Sequence, residues 1–215
     1  MRNLKILGLA LAAVFAMSAV IASVASAQTV GVLTSDGPVT LTGTETGGAG
    51  ANSFTAFGNT VECPGSTYTG HEKGSTTKLV PNGAKEVTVT PHYVNCNFPV
   101  AMNGCDYLFR HLTTVAGVAG TYTFLADVVC PVGKAIEITG PLGCKVKVPA
   151  QTGLTGPHLT STPLPAHDID LTGTFSNVTA TNCFGGHTAA AVLHLDVTIK
   201  GHNSLKENTG VTISD

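Results

Sequence analysis

From Ala191 to His202 the chain alternates without a break. Leu193, Leu195, Val197 and Ile199 fall on one side, and His194, Asp196, Thr198, Lys200 and His202 on the other. A period of two marks a strand, because successive side chains point to opposite faces of a sheet. A helix would need apolar residues three and four apart, and no stretch after residue 28 supplies them. The same alternation sets Val87, Val89 and Tyr93 against Thr88, Thr90 and His92, and Tyr122, Phe124, Ala126 and Val128 against Thr121, Thr123 and Asp127. In His167 to Ser176, Ile169, Leu171 and Phe175 face one way, and Asp168, Asp170, Thr172 and Thr174 the other. Shorter candidates are Val39 to Gly43, Ser53 to Phe57, Ser66 to Thr69, Tyr107 to Leu112 and Val211 to Ser214. One apolar and one polar face is the antiparallel pattern. The expected fold is all-β: an antiparallel β-sandwich or flattened barrel of roughly eight to eleven strands, with no mature helix longer than two turns.

One hairpin has a readable register. Between Ala135–Thr139 and Lys145–Val148 lies Gly140-Pro141-Leu142-Gly143-Cys144. With Pro141 and Leu142 at the centre of a type I turn and Gly143 left-handed, the loop is a three-residue connection with a bulge. Thr139 then faces Lys145, Ile138 faces Val146, Glu137 faces Lys147 and Ile136 faces Val148. A slip of one residue would set Ile136 against Lys147 and destroy the match.

Residues 1–27 read as a cleavable export signal. Arg2 and Lys5 form a positive start, Ile6 to Val20 an apolar stretch, and Ala25-Ser26-Ala27 a small-residue cleavage site after Ala27. The C-terminal Gly210-Val211-Thr212-Ile213-Ser214-Asp215 carries no apolar tail, so no membrane anchor is expected after cleavage, and the protein is expected to be secreted. Residues 28–215 are expected to form one domain. Glu45 to Asn52 and Gln151 to Pro165 read as surface loops within it.

All six cysteines, Cys63, Cys96, Cys105, Cys130, Cys144 and Cys183, lie beyond the leader. Outside the cytoplasm an even count reads as disulfides. Zinc sites and redox motifs need closely spaced pairs, and this sequence has no C-x-x-C. If Cys105 to Leu112 and Tyr122 to Cys130 are neighbours, with Tyr107 opposite Val128 and Phe109 opposite Ala126, Cys105 meets Cys130. The strand from Lys134 to Gly140 would hold Cys130 and Cys144 about 20 Å apart, beyond the roughly 7 Å limit of a bridge. The remaining cysteines pair most economically as Cys63–Cys96 and Cys144–Cys183.

Composition removes whole function classes. Charged residues are 11% of the chain and the formal net charge is -2, against about 25% charged in ordinary domains. No basic face is available to neutralise phosphates, so nucleic acid is not an expected partner. A hydrophobic fraction of 43% excludes disorder. With no Trp and 6% aromatics, an aromatic sugar platform is hard to build.

Several strings together point to kinship: Val61-Glu62-Cys63, Val89-Thr90-Pro91-His92-Tyr93, Met102-Asn103-Gly104-Cys105-Asp106-Tyr107, Asp127-Val128-Val129-Cys130-Pro131-Val132-Gly133-Lys134 and Pro149-Ala150-Gln151. With the Ala-rich leader, the chain resembles a group of small exported, Thr-rich, cysteine-containing β proteins that recur as paralogues in soil actinobacteria. The resemblance implies export, cysteine use and a bacterial surface setting. It carries over no activity and no functional residue.

The motifs that could carry chemistry each have a simpler explanation. Asp168-Ile169-Asp170-Leu171-Thr172-Gly173 opens like a calcium loop, but Thr179 stands where the loop needs a bidentate Glu. Asp168 and Asp170, about 6.6 Å apart along a strand, could serve as a glycosidase pair, and a solvated strand face explains them equally. His194 and Asp196 share a face with His202, yet the two histidines are about 26 Å apart at strand rise, too far for one metal ion. Ser75-Thr76-Thr77-Lys78 fits S-x-x-K but lacks its K-T-G companion. Asn177-Val178-Thr179 is a glycosylation sequon with no expected role in a bacterium. No catalytic, cofactor or metal residue is therefore assigned. The expected function is a secreted, non-catalytic binding or structural module meeting an extracellular or cell-wall partner. The alternative is a secreted glycan or ester hydrolase with carboxylates and histidines dispersed over strands.

Overall fold

The strongest alternation in the sequence becomes the longest pair of elements. The computed structural model describes residues 30–34, 37–45, 52–74, 85–114, 121–154, 158–160, 167–183, 188–203, 206–209 and 212–214. The expected leader, residues 1–27, and the Ser75 to Lys78 motif lie outside them. The N-terminal strands are β1 (Val30–Thr34), β2 (Thr40–Glu45), β3 (Ser53–Ala56), β4 (Asn59–Glu62), β5 (Thr67–Glu72) and β6 (Glu86–His92). Then come β7 (Val100–Ala101), β8 (Asp106–Thr114), β9 (Thr121–Val129), β10 (Ile136–Thr139), β11 (Lys145–Val148) and β12 (Gln151–Leu154). The last are β13 (His158–Thr160), β14 (His167–Thr181), β15 (Thr188–Asn203), β16 (Lys206–Thr209) and β17 (Thr212–Ser214). Among the described residues the sole helical element is the single turn Pro141–Gly143.

The fold is the expected all-β antiparallel architecture, in two sheets that share β14 and β15. In the first, pairings run from β2 through β5, β6, β8 and β9 to β13, then β14, then β15 and back to β2, so this sheet curls into a flattened barrel. In the second the order is β7–β10–β11–β14–β15–β3–β4. The long hairpin serves both because its strands pair differently along their length. Val197 to His202 of β15 pair with β2, whereas Val192 to His194 pair with β3. Asp168 to Asp170 of β14 pair with β13, whereas Thr179 to Thr181 pair with β11.

A one-residue bulge in β14 makes the handover. Phe175 opposes Ala191, but Val178 opposes Ala189. The extra residue lets Phe175 and Val178 both turn inward despite their spacing of three, and both are buried. The Gln151 side chain brackets the bulge, accepting from Ser176 N–H at 2.8 Å and donating to Ser176 C=O at 3.3 Å. The core lies between the sheets. Tyr68, Val87, Val89, Tyr107, Phe124, Ala126 and Val128 meet Phe54, Val61, Ile136, Ile138, Val148, Phe175 and Leu193.

Seventeen strands among the described residues, in place of eight to eleven, reflect short elements the alternation does not reveal. Gln151 to Pro165, read as a loop, contains β12 and β13, which pair along β9. The β10–β11 register is the one read from sequence, residue for residue. Its turn differs: Leu142, expected in a right-handed turn position, is left-handed at φ 56° and ψ 24°, followed by Gly143 at φ 77°. Cys144 N–H donates to Pro141 C=O, so Leu142 and Gly143 are the central pair of a type I′ turn.

Candidate functional site

The disulfides join Cys63 to Cys96, Cys105 to Cys130 and Cys144 to Cys183. These are the expected pairs, the second from strand register and the other two as the most economical remainder, and the register behind the second, Tyr107 opposite Val128 and Phe109 opposite Ala126, is present. The first ties the end of β4, in the second sheet, to the segment after β6 in the first, and the second joins the start of β8 to the end of β9. The third ties the β10–β11 turn to the end of β14.

Asp168 and Asp170 lie within the continuous strand β14, which rules out a calcium loop there, since such a loop must fold around its ion. Register places Asp170 opposite Asp196 on one side and His158 on the other. His194 stands opposite Thr172 and Ser53, and His202 opposite Thr40, at the other end of β15. Strand pairing thus aligns His158, Asp170 and Asp196 in one row and leaves His202 apart.

Asp127 departs from the solvent-face reading. It is 4% exposed, and Arg110 donates to its two oxygens at 2.7 and 3.0 Å. Gly153 N–H, from β12, donates to Oδ1 at 2.7 Å. Burial works to raise this carboxyl, but the Arg110 and Gly153 hydrogen bonds outweigh it and hold it below the ordinary carboxylate range. Three of its four acceptor directions are occupied by Arg110 and Gly153, so the group joins β8, β9 and β12 and is held as an ion pair.

A second polar group lies in the core. Tyr93 and Tyr107 hydroxyls are 2.9 Å apart, and the Tyr68 ring meets Tyr93 edge-on. Burial raises all three hydroxyls, that of Tyr107 to about 12. Asn52, 3% exposed, makes no hydrogen bond through its amide. It shares with Tyr93 and Tyr107 a cavity of about 30 Å³, room for little more than one water molecule. No substrate fits there.

Among the described residues, a space large enough for a ligand lies at the end of the second sheet. It measures about 250 Å³ and is walled by Phe54, Ala56, Val61, Ile138 and Val146 from the strands. Phe57, Asn59, Phe98, Pro141, Leu142, Asn182 and the Cys144–Cys183 bridge form its rim. None of the described residues lining it carries a titratable side chain. Six non-glycine residues among those described have positive φ: Phe57, Asn95, Asn103, Leu142, Asn177 and Asn182. Four are asparagines, which tolerate that region. The two exceptions, Phe57 and Leu142, both line this pocket.

The local reason is the turn type. Ala56 pairs with Asn59 across Phe57 and Gly58, at φ 50° and 71°. A two-residue hairpin needs two left-handed residues to match strand twist, and Asn-Gly is its usual sequence. This protein uses Asn-Gly elsewhere, at Asn103 and Gly104, where Cys105 N–H donates to Met102 C=O at 2.8 Å. At the pocket a bulky apolar residue takes the asparagine position twice. Sequence reasoning missed Phe57 and Phe98. The available signal for Phe57 was a large apolar residue directly before a hairpin glycine; Phe98, before Pro99, carries no such signal.

No protein-family model, curated protein or solved structure matches the chain.

Proposed function

We propose that the chain is a secreted, non-catalytic binding module of the bacterial cell exterior, holding its ligand in the pocket between Phe57, Phe98 and Leu142. The observation that carries this reading is the combination of apolar walls and two strained apolar rim residues where asparagine would relieve the strain. Backbone strain of this kind costs of order 1–3 kcal/mol and clusters at functional sites. Binding needs shape and apolar area, whereas proton transfer needs a titratable group within hydrogen-bond reach. The described lining of the pocket has the first and not the second. The expected export signal and the three disulfides support an extracellular setting.

The direct check is to screen the purified mature protein against peptide, ester and glycan substrates, and in parallel against small apolar compounds by thermal shift. Stabilisation by apolar compounds without turnover is the expected result. The row His158, Asp170 and Asp196 favours a second reading, a hydrolase dispersed over β13, β14 and β15. Turnover lost in Asp170→Asn and Asp196→Asn variants that still fold would establish the hydrolase and defeat the binding-module reading.

A further inference from the structure

Resting on that reading of the pocket, we propose that its ligand is a neutral molecule with one aromatic ring and about ten non-hydrogen atoms. Size sets the first limit. An apolar cavity of about 150 Å³ is filled by one benzene ring, so about 250 Å³ takes a ring with a tail of three or four atoms. A fused polycyclic compound or a long acyl chain exceeds it.

The walls set the second limit. Phe54, Phe57 and Phe98 present three rings to one small space, and rings pack on rings by offset or edge-on contact beyond what burial alone supplies. The Cys144–Cys183 sulfurs add polarisable contacts of the kind aromatic edges favour. Charge sets the third. With no charged side chain among the described lining residues, an ionised ligand would lose its hydration without a partner there. The polar groups at the mouth are the amides of Asn59 and Asn182, both exposed. The Asn59 amide donates one N–H to Phe57 C=O at 3.1 Å, and the donor and acceptor capacity that an amide keeps beyond one bond suits one uncharged substituent such as a hydroxyl.

The test is calorimetric titration of the mature protein with three probes of similar size: para-propylphenol, the aliphatic alcohol nonanol, and the anion para-ethylbenzoate. The expected result is that propylphenol binds at least tenfold more tightly than either of the others. Its affinity should fall at least tenfold in Phe57→Asn, a substitution that suits the turn, and stay unchanged in Val132→Asn, at a fully exposed position away from the pocket. Nonanol or ethylbenzoate binding as tightly as propylphenol, with the same sensitivity to Phe57→Asn, would overturn the ligand class and leave the pocket standing. No binding by any probe, or binding indifferent to Phe57→Asn, would overturn both.

Discussion

The turn at Asn103–Gly104 and the turns at Phe57–Gly58 and Leu142–Gly143 solve one backbone problem with different residues. All three place two consecutive residues at positive φ. At the first, asparagine is exposed and its side chain donates to Ala135 C=O at 2.9 Å, so the turn is locally satisfied. At the other two a phenylalanine and a leucine occupy the region that costs an ordinary side chain about 1–2 kcal/mol, and Leu142 is 86% exposed. Turn strain alone would favour asparagine at all three. On the proposed reading, the difference separates a turn that closes the chain from turns kept for the surface they present.

The comparison predicts that stability and binding respond to different parts of the molecule. The largest effect is alkaline. Tyr107 ionises only at about 12 in the fold, whereas an unfolded tyrosine ionises near 10. A raised folded value means stability is complete below pH 10 and lost as pH climbs toward 12, by about 1.4 kcal/mol per pH unit. Tyr107 alone then removes about 3 kcal/mol, and Tyr68 and Tyr93 shift the same way. Binding of propylphenol should hold constant from pH 5 to 9, because no described pocket residue titrates. Denaturant unfolding across this range checks the first statement and calorimetry the second. A stability that stayed level beyond pH 10 would mean the tyrosines are hydrated.

Next in size are the disulfides. Removing either Cys105–Cys130 or Cys144–Cys183 by paired Cys→Ser substitution should cost about 2–4 kcal/mol. Only the second should abolish binding, because it frees the Leu142 turn from the end of β14 and opens the rim. Equal binding by both variants would show that the pocket does not depend on that tie.

Much of this architecture was legible because particular residues leave no alternative. Glu137 against Lys147, flanked by Ile–Val pairs, admits one register, and the Tyr107–Val128 register carries Cys105 to Cys130. What stayed hidden has physical reasons as well. β12 and β13 are short segments stitched along β9, too brief and too rich in Gly, Thr and Pro to show a period. Asp127 looks like any polar residue on an alternating strand until Arg110 and Gly153 N–H are brought to it by neighbouring elements. The pocket was hidden for the opposite reason. Phe57 and Leu142 contradict local turn preference, and a reading built on preference puts Leu142 in the right-handed region that suits it. Where local propensity and observed backbone disagree, a functional site is the expected cause.

The smallest effect tests that statement most directly, by exchanging residues between the two kinds of turn. Asn103→Phe should destabilise by about 2 kcal/mol, since it adds left-handed strain and removes the hydrogen bond to Ala135, itself worth about 1 kcal/mol. Leu142→Asn should do the reverse. The leucine is almost wholly in water, so its loss uncovers little, while asparagine relieves part of the strain. The expected gain is about 1 kcal/mol, with weaker propylphenol binding. Phe57→Asn should sit near zero, because relief of the turn is offset by the loss of a half-buried ring packed against the core. Denaturant midpoints at constant slope measure all three. A Leu142→Asn protein that is less stable than the parent would mean the leucine holds the turn itself, and the contrast between strained and satisfied turns would lose its functional meaning.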